Sequence, residues 1–186
     1  MKSMLFFALL ASVSTVMTSC GDDEPEEVFG CTDIVGDNYN ASATTDNGSC
    51  VYQERFVGTW PGVFDCVGFL TTLFTDVEIT ISKAAATDQV SILVADDALP
   101  FPIPLNGTIT RNDVSIDVTI TGIDFVGLDL IPNYEGEMFD ISVVGTLTLD
   151  EAGTTLSGDV EFTFVELSSG GLIPPLSDTC TFTATR

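Results

Sequence analysis

The sequence predicts an all-β protein, an eight-stranded antiparallel up-and-down barrel preceded by a small disulfide loop. Three observations carry that prediction. Apolar residues recur in steps of two across residues 55–186, as in strands with one buried face. No stretch of that region reads as a helix of ordinary length. Four cysteines at positions 31, 50, 66 and 180 are spaced to staple first a short loop and then the two ends of the domain. The alternative arrangement of so many short strands is an immunoglobulin-like sandwich, whose cysteines sit more often on interior strands.

The chain opens with Lys2 and an apolar run from Met4 to Met17. A bilayer-spanning helix needs roughly 20 apolar residues, so this run is short for one. A basic start, a short apolar core and a small-residue ending describe an export signal over residues 1–19. Its last residues, Met17-Thr18-Ser19-Cys20, resemble the lipobox of bacterial lipoproteins, with Met17 where Leu is usual. That resemblance implies lipidation at Cys20, and palmitate-type acyl chains would then tie the protein to a membrane. Residues 20–29 include the run Asp22-Asp23-Glu24-Pro25-Glu26-Glu27, an acidic tether that cannot bury apolar surface. An acidic cluster directly behind the lipidated cysteine resembles the surface-export signal of some Gram-negative groups. It implies an outer-membrane lipoprotein exposed at the cell surface.

Behind the leader, 28 acidic residues face four basic ones, Arg55, Lys83, Arg111 and Arg186. A field of that sign repels phosphate backbones, so nucleic acid is not an expected partner. The expected partners are the membrane, through the acyl chains, and either a small apolar ligand or another surface molecule.

Residues 30–52 form a separate unit, rich in Asn, Asp, Ser, Thr and Gly and without a periodic apolar face. In an oxidising compartment the four cysteines left after acylation form an even set. Their positions favour Cys31–Cys50 and Cys66–Cys180 among the three pairings. Closing a loop of about 20 residues contributes on the order of 3 kcal/mol in the chain-entropy model, and so small a unit needs it. Gly30-Cys31-Thr32-Asp33, Asn38-Tyr39-Asn40, Ala43 and Gly48-Ser49-Cys50 resemble a short cysteine-loop repeat of bacterial surface proteins. That repeat transfers no activity. Asp33, Asp37, Asn38, Asn40 and Asp46 offer hard oxygen ligands, which makes calcium the one metal to consider; their spacing does not fit an EF-hand. Asx residues also serve turns without a metal. No organic cofactor is called for.

The strands are expected near 56–69, 73–83, 88–95, 104–111, 113–121, 136–149, 154–166 and 178–186. Val77, Ile79 and Ile81 share a face, as do Val90, Ile92 and Val94, then Val114, Ile116, Val118 and Ile120, then Val160, Phe162 and Phe164. Long connections at 96–103, 122–135 and 167–177 fall at one end of a meander, with a short link at 70–72. Tight turns near 84–87, 112 and 150–153 fall at the other. Closure requires the last strand to run antiparallel beside the first, where facing residues keep a constant index sum. Cys66 and Cys180 share their sum with Trp60 and Arg186, so a direct cross-strand disulfide sets that second pair opposite each other as well.

Phe56-Val57-Gly58-Thr59-Trp60 resembles the Gly-x-Trp opening of lipocalin-like barrels. The resemblance implies that Trp60 plugs the barrel floor and that Arg186 covers it by cation–π contact. It is confined to residues 56–60, and Pro61 departs from the family pattern.

The chain has no histidine, no Gly-x-Ser-x-Gly elbow and no phosphate-binding glycine loop. With its exported thiols oxidised, no catalytic residue is assigned; Glu135 and Glu137 are the nearest candidate carboxylate pair. The long connections are unusually apolar, reading Leu99-Pro100-Phe101-Pro102-Ile103-Pro104, Phe125 to Pro132 and Leu172-Ile173-Pro174-Pro175-Leu176. Two non-enzymatic functions follow. One is a lipocalin-like barrel holding a small apolar ligand among Ile79, Ile92, Phe101, Ile116, Ile131, Phe162 and Ile173. The other is a filled structural or adhesion module whose loops and cysteine-loop unit contact other macromolecules.

Overall fold

The computed structural model describes residues 26–72, 74, 76–97, 99, 101–124, 138–168, 170 and 172–186. Two short bridges, β1 (Phe29–Gly30) and β2 (Thr45–Asp46), pair in parallel inside the cysteine-loop unit. One helical turn, α1 (Gln53–Phe56), leads into the barrel. Eight strands follow: β3 (Gly58–Cys66), β4 (Val77–Lys83), β5 (Gln89–Ala95) and β6 (Ile103–Ile109), then β7 (Asp113–Asp124), β8 (Met138–Leu149), β9 (Thr155–Glu166) and β10 (Leu176–Thr185). Each pairs antiparallel with its neighbours in sequence, and β10 returns to β3 to close the barrel. Closure removes the sandwich alternative.

Period-2 alternation places the core. Val77, Ile79 and Ile81 are buried, as are Val90, Ile92 and Val94 on β5, while Glu78 and Leu93 between them face out. The seam keeps the expected register, with Cys180 opposite Cys66 and Ala184 opposite Gly62. The first half of β3 pairs with β4 and its second half with β10, overlapping at Gly62. That stagger is what a closed sheet of tilted strands requires.

Two boundaries differ from expectation. Strand β7 runs on to Asp124 because a bulge between Ile120 and Ile123 absorbs the register change. Gly122 sits there at φ 67°, and the Asp140 carboxylate accepts its N–H at 2.9 Å. The link after β3 is not three residues long. It runs from residue 67 to residue 76 and contains a 3₁₀ turn, Phe69–Thr72. The apolar side chains of Leu70 and Phe74 turn into the barrel mouth, 2% and 7% exposed, so the segment leaves the sheet to fill it.

Long connections, including 67–76, 96–102 and 167–175, therefore gather at one end. The tight turns 84–88, 110–112 and 150–154 gather at the other, with α1 and Arg186. The cysteine-loop unit docks beneath this closed end, where the Arg111 guanidinium bridges Asp33 at 2.5 Å and Glu151 at 3.1 Å. Arg55 donates to the Arg111 carbonyl at 2.7 Å and to Asn112 Oδ1 at 2.5 Å.

Candidate functional site

The barrel floor is built from the ends of the chain's barrel region. Trp60 is fully buried, and its indole N–H donates to the Phe56 carbonyl at 2.8 Å. The Arg186 guanidinium lies 4.2 Å from the centre of the Trp60 ring. It also donates to the carbonyls of Arg55, Val57 and Gly153 at 2.8–3.1 Å, tying α1, the start of β3 and the turn before β9 together. Gln53, 6% exposed, donates its amide to the carbonyls of Ala84, Ala86 and Gln89 and closes the neighbouring turn. Neither α1 nor Gln53 carries a periodic signal; four residues are too few to display one.

Above the floor lies a cavity of about 50 Å³, and the described residues that line it are all apolar. Ile79, Ile92, Ile116 and Phe162 line it, as expected from their strand faces. Phe101 does not: it is 45% exposed and turned outward. Ile173 is half-buried and also outside the lining, and Ile131 lies outside the described residues. Proline-stiffened connections hold Phe101 and Ile173 around the mouth, while Leu70, Phe74 and Leu99 are the loop residues that reach inside.

Size and chemistry bound what this cavity can do. It exceeds the roughly 10–15 Å³ that one water requires, yet water needs two to four polar partners and the walls offer none. It is well below the roughly 300–1,000 Å³ of ordinary ligand pockets. The space suits a small apolar group, and the described lining residues carry no nucleophile, acid or base. Glu135 and Glu137 lie outside the described residues.

Phe74 bounds the cavity from the mouth. Its ring stacks on Phe162 at 6.0 Å and 15°, and meets Phe64 edge-on at 6.0 Å and 66°. Its backbone has φ 63°, the one positive φ on a non-glycine residue among the described residues. Such a conformation costs on the order of 1–2 kcal/mol, offset here by burying the ring. Asp178 on β10, 3% exposed, accepts the N–H groups of Gly68 and Leu70, both at 2.8 Å, and holds the start of the same segment. Asp178 also lies close to Cys66 and Cys180. Those sulfurs are joined as a disulfide, with Cα atoms 3.9 Å apart, so they hold no thiolate for a metal.

The oxygen-bearing side chains of residues 30–52 that make calcium the metal to consider also take part in the unit's own turns. Asp33 accepts from Val35 N–H and Tyr52 O–H, and Asp37 accepts from Glu54 N–H. Asn38 exchanges hydrogen bonds with the backbone of Ser49 and Val51. Asn40 and Asp46 each accept the N–H two residues on. Cys31 and Cys50 are bonded, and Cys31 is 1% exposed, so the staple forms the centre of the unit.

The Asp33–Arg111 pair joins unit to barrel. The Arg111 hydrogen bond holds the Asp33 carboxyl below its usual value of 3.8, and Asp33 in turn raises Arg111. A carboxyl depressed by folding adds stability above its unfolded pKa and loses that contribution as pH falls through the folded one. The melting-temperature gap between the native protein and Arg111→Ala is therefore expected to be largest at neutral pH. It should shrink as pH falls through and below the usual carboxylate range; a gap that stays constant well below that range would show that the pair does not couple unit to barrel.

No protein-family model matches the chain, and no curated protein matches it in sequence.

Proposed function

We propose that this protein is a membrane-anchored, non-catalytic lipoprotein of a Gram-negative outer membrane that holds a small apolar ligand in a lipocalin-like barrel at the cell surface. The cavity, apolar throughout its described lining, is the observation that carries the ligand half of this reading. The export signal and Cys20 carry the anchoring half, with acylation supplying the membrane affinity. Since the cysteine-loop unit docks beneath the floor, a tether entering there leaves the barrel mouth pointing away from the lipid. The surplus of acidic residues favours an uncharged ligand over an anionic amphiphile.

A second reading, a filled interaction or adhesion module, draws support from the small cavity and from the apolar mouth. Val67 and Leu172 are 85% and 87% exposed there. Isolated apolar residues are ordinary, but several around one opening suit a contact surface.

One substitution addresses both halves. Cys20→Ser is expected to move the protein from the membrane fraction to the soluble exported fraction. Native mass spectrometry of that soluble protein is expected to show a non-covalent apolar adduct that denaturation removes. Bare protein from every preparation would reject the ligand reading in favour of the interaction module. Continued membrane retention of Cys20→Ser would reject the acyl anchor.

A further inference from the structure

We infer that the cavity is part of a larger site for a single flat, uncharged ring, and that the phenyl group of Phe74 occupies the rest of it. The inference rests on the ligand-binding reading and names the chemical class of the guest. Phe64, Phe74 and Phe162 form a three-ring box on one side of the cavity, with Phe64 and Phe162 edge-to-face at 5.7 Å and 80°. Phe64 and Phe162 belong to strands β3 and β9, whose ladders fix them. Phe74 belongs to the connection after β3, and its ring lies 7% exposed inside the barrel mouth.

Its backbone tells how the ring is held. The Phe74 carbonyl accepts the Phe64 N–H at 3.2 Å, extending the β3 ladder by one bond where β4 has not yet begun. The residue takes φ 63° in doing so, a conformation that L side chains avoid. The ring is in the barrel because the aromatic box favours it there, against its own backbone preference. A guest presenting the same face to Phe162 competes for the same contacts, and it lets Phe74 relax outward. Space vacated by a phenyl group, joined to the existing void, reaches the order of 150 Å³, the size of an apolar cavity known to take benzene. The described walls carry no polar atom and so disfavour a charged or hydrogen-bonding group, and the ring faces that Phe74 now covers favour a flat one, so the guest is an arene or the bare aryl end of a larger molecule.

Benzene is the probe, added to the full chain carrying Cys20→Ser, with and without Phe74→Ala. The Phe74 protein is expected to bind benzene weakly, shifting the methyl resonances of Ile79, Ile92 and Ile116. Saturation is expected to abolish the ring-to-ring nuclear Overhauser contacts between Phe74 and Phe162. Phe74→Ala is expected to bind at least tenfold more tightly, and benzoate is expected to bind neither protein. Persistence of the Phe74–Phe162 contacts at the solubility limit of benzene would overturn the inference, because Phe74 would then be a fixed core residue. So would a folded Phe74→Ala protein whose isoleucine methyls ignore benzene. Should Phe74→Ala not fold, Phe74→Leu serves, with tighter binding than the parent expected and equal or weaker binding contrary to the proposal. Failure here alongside a native apolar adduct would leave ligand binding intact and move the guest elsewhere. Benzene binding by a protein that never carries an adduct would uphold the subsite while rejecting a resident natural ligand.

Discussion

Replacing Cys66 and Cys180 together by alanine is expected to lower the melting temperature by roughly 10 °C or more. The bond spans a sequence separation of 114 residues. Chain entropy for a loop of that length amounts to about 4–5 kcal/mol, and losses of 2–5 kcal/mol are usual when such bonds are removed. In a domain of this size each kcal/mol moves the midpoint by roughly 2–4 °C. Both cysteines must go, since one alone leaves a buried free thiol. The Cys31–Cys50 bond closes a separation of only 19 residues, and its double replacement is expected to cost less, about 3 kcal/mol at most. Guanidinium and thermal melts of the two double variants, side by side, check the order. Near-identical melting of the native protein and the Cys66/Cys180 variant would show that the β3–β10 ladder holds the seam unaided.

Trp60→Ala is expected to cost about 3–5 kcal/mol, the range for emptying a fully buried aromatic site. The loss removes more than volume. It strips the Phe56 carbonyl of its indole donor and takes away the face on which the Arg186 guanidinium rests. Arg186→Lys separates these contributions: it keeps a cation over the ring but cannot reach three carbonyls in a planar fork. A smaller cost, about 1–2 kcal/mol, is expected for that change. Trp60 is the chain's one tryptophan, so its emission reports the floor without labelling. Blue-shifted emission in the native protein and a red shift coincident with unfolding are the expected observations. A Trp60→Ala protein as stable as the parent would mean that the floor is held by Gln53 and Arg55 alone.

Most of the barrel was legible because its signals repeat. Alternation at Val77-Ile79-Ile81 and Val90-Ile92-Val94 states which face is buried before any partner strand is known. The seam was legible for a different reason: two cysteines and an index rule suffice to set one register, and Trp60 and Arg186 follow from it. What escaped was aperiodic. The segment 67–76 is apolar enough to pass for strand, and nothing local says that Leu70 and Phe74 turn inward instead of continuing the ladder. Asp178 was invisible as a latch because its partners, the N–H groups of Gly68 and Leu70, are more than a hundred positions away. Phe101 and Ile173 were grouped with the lining by composition. Exposure depends on how each connection bends, which composition does not encode. The Asp and Asn residues of 30–52 look the same in sequence whether they bind a cation or cap turns, and the turn hydrogen bonds they make were not legible there.

The pairing of β3 with β10 also sets the order in which this molecule can be made. Every other strand pairing of the closed barrel joins strands adjacent in the chain and can form as the polypeptide emerges. The closing pairing needs β10, and the cover over Trp60 needs Arg186 beyond it. Barrel closure therefore waits for β10 and has the slow, millisecond-to-second kinetics of non-local β topologies. Loss of the Arg186 side chain would leave a tube that zips but never gains its lid below.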